Sequence, residues 1–134
     1  MARILVADDM ELSRLSISAV LEGFGHHVTE AEDGRDCLER LKAEGTDLLV
    51  TDMDMPNMSG NELIEKLGEI DPYLPVIAIS GHDDLGGIRP LDEARRLGAW
   101  TVLRKPFGAG ELVSAIDSML KQASASGAPL SAAG

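Results

Sequence analysis

Five short apolar runs recur along the chain, at 4–7, 27–31, 48–51, 76–80 and 100–103, and they are rich in Val, Ile and Leu. Several, such as Ile4-Leu5-Val6-Ala7, are apolar at every position. A strand with one wet face alternates apolar and polar residues, whereas a continuous run needs cover on both faces, as in a parallel sheet between helices. The 27–31 run contains His27, Thr29 and Glu30 and is the most polar, which predicts a place at the sheet edge. Between the runs the period changes to that of a helix. Ile17, Val20, Leu21 and Phe24 fall at i, i+3, i+4 and i+7 and form one apolar stripe. Leu63, Ile64, Leu67 and Ile70 repeat this logic, as do Leu112, Val113, Ile116, Met119 and Leu120. Shorter helices are predicted over 37–41 and 91–97, the second with Pro90 suited to its first turn. Gly25, Gly45 and Gly98 follow three of these helices as stop signals. The alternation predicts an α/β fold of (βα)₅ type, with right-handed crossovers and a doubly wound parallel sheet.

The chain has 134 residues, enough for one compact domain. Residues 1–122 are expected to form it. Residues 123–134 are small and uncharged, without hydrophobic period, and read as a flexible Ala/Ser/Gly tail. The 23 acidic residues against 12 basic ones give a net charge of −11. That balance argues against nucleic acid and against an anionic membrane surface, both of which need clustered Lys and Arg. It leaves a basic partner, a metal cation or simple solubility. No signal peptide or apolar span is visible, so a cytoplasmic location is expected. The single cysteine, Cys37, excludes an internal disulfide and any multi-cysteine metal site.

In an open parallel sheet, ligands bind beyond the carboxyl ends of the strands. Asp8 and Asp9 follow the first run, Asp52 the third, Ser80 ends the fourth, and Lys105-Pro106 follow the fifth. Three carboxylates, a hydroxyl and an ammonium are thus expected at one edge. Two like charges at 4 Å repel by about 4 kcal/mol at an effective dielectric of about 20, so the carboxylates need a cation to stay ionised together. An all-oxygen donor set suits Mg²⁺ (or Mn²⁺). A cation there neutralises an incoming phosphoryl group and makes a carboxylate a feasible nucleophile. Lys105 and Ser80 add donors to the phosphoryl oxygens. The set reads as phosphoryl transfer to Asp52.

With those residues in hand, the sequence resembles the receiver domain of bacterial two-component response regulators. The resemblance rests on Val6-Ala7-Asp8-Asp9, Ala31-Glu32-Asp33-Gly34, Asp52-Met53-Asp54-Met55-Pro56-Asn57-Met58-Ser59-Gly60, Ile77-Ala78-Ile79-Ser80-Gly81, Leu97-Gly98-Ala99 and Lys105-Pro106-Phe107. It covers roughly residues 2–121. It implies a flavodoxin-like sheet of strand order 2-1-3-4-5, the topology of the chemotaxis receiver. It further implies that Asp52 is the phosphoacceptor, with Asp52, Ser80 and Lys105 as the catalytic residues. Asp9 and Asp52 would ligate Mg²⁺ directly, Asp8 directly or through water, and Asp54 through its main-chain carbonyl. The Lys105–Pro106 bond is expected to be cis. The implied donor is a histidine kinase or histidine phosphotransfer protein. The implied output is phosphorylation-dependent protein binding or phosphorelay, by a monomer or a phosphorylation-dependent dimer, since no effector segment is visible. The protein would catalyse only its own aspartyl phosphorylation and dephosphorylation.

Three features stand out against the family pattern. The switch aromatic, usually three residues before the lysine, falls on Val102, with Trp100 two residues earlier and on the same face by strand parity. Ser80 and Lys105 lie 25 positions apart, a few more than usual, with the extra length assigned to 81–90. The resemblance implies that Asp54 and His82, each two residues after a site residue, flank the water that attacks the aspartyl phosphate, and they are expected to tune the lifetime of the phosphoryl group. Two other functions compete. Asp52-Met53-Asp54 resembles the DxD motif of haloacid-dehalogenase-type phosphatases, but those place DxD first and the acidic pair last. A phosphorylation-independent interaction module is the other, kept open by Val102.

Overall fold

The computed structural model describes residues 2–55, 58, 60–71, 73–81 and 98–125. The helix predicted over 91–97, the loop after Gly81 with His82, and the tail beyond Ala125 lie outside the described residues. Among them, five strands run parallel: β1 (Arg3–Ala7), β2 (His27–Ala31), β3 (Leu48–Asp52), β4 (Val76–Ser80) and β5 (Thr101–Arg104). Each agrees with its apolar run to within one residue. Four helices accompany them: α1 (Glu11–Gly23), α2 (Gly34–Ala43), α3 (Gly60–Ile70) and α4 (Ala109–Ala125). The sheet order is β2-β1-β3-β4-β5, as the resemblance implies, and the polar β2 lies at an edge. No helix of the described residues is long and apolar enough to cross a membrane.

The unbroken apolar runs divide between two cores. Ile4, Val6, Leu48, Val50, Ile77 and Ile79 point to one side and meet Ile17 and Leu21 of α1 and Leu112, Ile116 and Met119 of α4. Leu5, Ala7, Leu49, Val76 and Ala78 point to the other and meet Cys37 of α2 and Leu63, Ile64 and Leu67 of α3. Burying one such Leu or Ile side chain contributes about 1.5–3 kcal/mol. The two-sided packing explains why the runs show no alternation. It also fixes the strand ends, and with them the site.

Helix α2 begins where Asp33 accepts the Asp36 amide on Oδ1 at 2.8 Å, a side-chain N-cap. A side chain at Gly34 would collide with the Cβ of Met58 at 2.9 Å, so the Asp33-Gly34 pair combines a cap with a close approach. Gly25, just past α1, has φ 89°, the positive-φ stop expected of it, and Gly98 also has a positive φ, 129°. Gly45 differs. Helix α2 ends on the extended Glu44, with φ −131°, and a side chain at 45 would run into the Arg3 guanidinium.

Several sequence expectations are corrected. Phe24 belongs to the predicted α1 stripe but is 58% exposed, because the helix ends at Gly23 and position 24 has already left the stripe. Ile70, the last residue of α3, is 51% exposed. Trp100 does not share the face of Val102. It packs with the α1/α4 core, whereas Val102 packs with the α2/α3 core. Trp100 sits in a bend ahead of β5, where the parity of the pleat has not begun. Finally, α4 extends to Ala125 with Ala123 buried, so the helix reaches three residues into the segment read as tail.

Candidate functional site

The strand register assembles the site. Ala7 pairs with Thr51 across β1 and β3, so Asp8, the next residue, lies level with Asp52. Asp52 pairs with Ile79, and Ser80 pairs with Arg104. Ser80 therefore stands one step beyond Asp52, and Lys105 one step beyond Ser80. A lysine at that height spans the gap with its four-carbon stem. Its Nζ lies 2.8 Å from Asp52 Oδ2 and 3.4 Å from Asp8 Oδ2. Lys105–Pro106 is cis.

Both Asp52 oxygens are held, because the Asp54 amide donates to Oδ1 at 2.8 Å while Lys105 donates to Oδ2. Asp8 is held as firmly. Its Oδ1 accepts the Met10 amide at 2.9 Å, and its own amide donates to the Ala31 carbonyl at 3.1 Å. Asp8 and Asp52 are buried and Asp9 is exposed. Carboxylate oxygens from all three lie within 4.8 Å of one another. At such spacing each pair repels by about 3–4 kcal/mol at an effective dielectric of about 20.

The electrostatics follow from this crowding. Burial pushes the Asp52 carboxyl above its ordinary range, with the Asp8 charge adding to that direction. The Lys105 and Asp54 hydrogen bonds and the Lys105 charge oppose it without cancelling it. For Lys105, burial pulls the ammonium down, but the Asp52 hydrogen bond and the charges of Asp52 and Asp8 outweigh it and raise it. One ammonium against three carboxylates leaves two negative charges, the complement of a single divalent cation. The donors are all carboxylate oxygens, without His or Cys, so they fit a hard divalent ion.

The profile of the response regulator receiver domain matches residues 4–117. The chain belongs to this receiver family. It is 40% identical over 120 residues to the response regulator receiver protein CpdR of Brucella abortus, a match covering 90% of this chain and 98% of CpdR. It is 33% identical over 112 residues to the DNA-binding transcriptional regulator NtrC of Klebsiella pneumoniae, covering 84% of this chain but only 23% of that much longer protein. The crystal structure of a response regulator receiver domain protein from Clostridium thermocellum superposes with a TM-score of 0.83 at 32% identity, covering 91% of this chain and 96% of that one.

In this receiver domain, Asp8, Asp9, Asp52 and Lys105 come together as the sequence predicts. Ser80 is fully buried at the end of β4, with its Oγ 3.5 Å from Asp54 Oδ2, the outer limit of a hydrogen bond. Asp54 is exposed at the mouth of the site. Val102 is half-buried on the α2/α3 side, in register with Ala78. His82 lies outside the described residues. Sequence reasoning missed Arg14 and Glu30. The Arg14 side chain is 11% exposed, and its guanidinium hydrogen-bonds the Asp8 carbonyl at 2.8 Å and Glu30 Oε1 at 2.9 Å. A signal was present: a cation near a helix N-terminus is disfavoured by the helix dipole and calls for a local acceptor.

Proposed function

We propose that this receiver accepts a phosphoryl group on Asp52 from a histidine kinase or histidine phosphotransfer protein, with Mg²⁺ (or Mn²⁺) held by Asp8, Asp9, Asp52 and the main-chain carbonyl of Asp54. The observation that carries this reading is the 2.8 Å contact of Lys105 with a buried Asp52 that sits beside Asp8 and Asp9. When bound, the divalent ion supplies charge neutralisation between the acceptor and the phosphoryl oxygens. The chain's own groups do the rest. A carboxylate oxygen of Asp52 attacks phosphorus as the phosphorus–nitrogen bond of the donor imidazole breaks, and the imidazole leaves with the bonding electron pair. The Asp54 amide and Lys105 fix the rotation of the Asp52 carboxylate, so little reorganisation is needed. Lys105 then pairs with the new phosphoryl charge and Ser80 donates its hydroxyl to it.

An apolar groove beside the site supports docking of a donor protein. A groove of about 300 Å³ lies beside Lys105, lined by Ile17, Val20, Pro106, Phe107 and Leu112 among others, and Leu12 nearby on α1 is 80% exposed. The protein acts only on its own aspartyl group, in the cytoplasm, and its output is phosphorylation-dependent binding or onward relay. Asp54 and His82 tune the phosphoryl lifetime, Asp54 by orienting or repelling the attacking water. Incubation with acetyl phosphate, followed by intact mass, tests this reading. One phosphoryl adduct is expected with Mg²⁺ and none with chelator. An unmodified protein in both conditions would favour a phosphorylation-independent module. Repeated turnover of a phosphate ester would favour a phosphatase.

A further inference from the structure

We propose that Arg14 is a positioning residue for the acidic pair, and that it works as one unit with Glu30. This rests on the divalent-cation reading above and deepens it. Asp8 and Asp9 project from the turn between β1 and α1, and repulsion within the acidic cluster tends to open that turn. Asp8 already binds Met10, Ala31 and Lys105. Its carbonyl oxygen is taken by Arg14 Nη1 at 2.8 Å, while Arg14 Nε binds Glu30 Oε1 at 2.9 Å. The guanidinium therefore spans from α1 to the backbone that carries the acids and on to the edge strand β2.

The planar fork of Arg presents Nε and Nη1 at a fixed relative angle, which a lysine ammonium does not reproduce. Glu30 is on the outermost strand, one residue before the Ala31 whose carbonyl receives the Asp8 amide. Both ends of the clasp thus converge on the same Asp8 backbone. Glu30 also balances the Arg14 charge, so that an uncompensated cation does not compete with the divalent ion for the carboxylates. Groups that orient metal ligands in this way contribute to affinity without touching the metal.

Calorimetric titration of Mg²⁺ tests the proposal, in the unaltered protein and in Arg14→Lys, Glu30→Ala and the double variant, with thermal unfolding measured alongside in the absence of divalent ion. Arg14→Lys is expected to raise the Mg²⁺ Kd about tenfold, the lower end of the usual cost of losing a ligand-orienting partner. Glu30→Ala, on an edge strand where a truncation is well tolerated, is expected to raise it in the same direction by less. The double variant is expected to match Arg14→Lys alone, because Glu30 acts through Arg14. A lowered unfolding midpoint with an unchanged Kd would reduce the clasp to scaffolding and overturn the proposal. Additive Kd effects would overturn the claim that the pair is one unit. Absence of saturable Mg²⁺ binding in the unaltered protein would overturn the cation reading, and the proposal with it.

Discussion

Two buried acids of this protein are both pushed upward by burial, yet they sit among very different partners. Cys37 sits in the α2/α3 core, 0% exposed, and burial, with the nearby Asp36 and Asp33 charges, pushes its thiol up to about 12. Asp52 is 5% exposed at the carboxyl edge of the sheet, and burial raises its carboxyl as well. The difference lies in what surrounds them. Cys37 is enclosed by apolar side chains and like charges, so its proton is locked in place and the group is inert. Asp52 has Lys105 on one oxygen and the Asp54 amide on the other, so its ionised form is held in a fixed orientation beside two further carboxylates. Burial alone silences a titratable group, whereas burial with partners at a strand end holds its ionised form in one orientation.

The two acids part most at Lys105, which contacts Asp52 at 2.8 Å. Lys105→Met removes a fixed cation from the place where, on the proposed mechanism, phosphoryl charge would arrive. It is expected to slow phosphorylation by acetyl phosphate by about 10²–10³-fold, the usual cost of one such donor. Stopped-flow or quenched mass analysis measures this directly. A rate unchanged in that variant would detach the lysine from the chemistry.

Alkaline stability sharpens the other half. In the unfolded chain the Cys37 thiol ionises near its ordinary 9.0, but in the fold it does so only near about 12. Between these values the unfolded state binds fewer protons, so stability falls as pH rises, by up to about 1.4 kcal/mol per pH unit, and is unaffected below about 9. Urea unfolding of Cys37→Ala should lack this component of the slope. Thiol reagents should label Cys37 only on unfolding.

For Asp52 the origin and the sign are the same as for Cys37, and only the pH window is lower. A carboxyl held above its ordinary range makes the ionised form a burden on the fold at neutral pH, relieved as pH falls through the raised value. Asp52→Asn is therefore expected to stabilise the protein in chelator by on the order of 1 kcal/mol, the usual size of a single-site effect, with the gain shrinking on acidification. Mg²⁺ should raise the unfolding midpoint of the unaltered protein and not that of the variant. The smallest effect belongs to Asp54, whose Oδ2 lies 3.5 Å from Ser80 Oγ. Asp54→Asn and His82→Ala are expected to change the half-life of the phosphorylated form, measured by mass over time, and equal half-lives would remove both from the reaction.

The fold was legible because its strands are buried on both faces. Runs such as Ile4-Leu5-Val6-Ala7 and Val76-Ile77-Ala78-Ile79 leave little choice of element, and the polar His27–Ala31 run declares its edge position. Asp8, Asp52, Ser80 and Lys105 were legible for a related reason: each is a polar residue where an apolar run stops. Terminal packing was less so. Phe24 and Ile70 fit their helix stripes in period but lie at or just past the helix ends, and periodicity carries no information on where a helix stops covering the sheet. Trp100 defeated parity because the pleat starts one residue later. Arg14 and Glu30 are 16 positions apart, and a pairing of that separation depends on how α1 lies against β2, which no local pattern records.

Asp52 is the group proposed to take the phosphoryl. Intact mass after acetyl phosphate and Mg²⁺, compared between the unaltered protein and Asp52→Asn, tests it most directly. One adduct in the first and none in the second is the predicted result. An equal adduct in Asp52→Asn would contradict it.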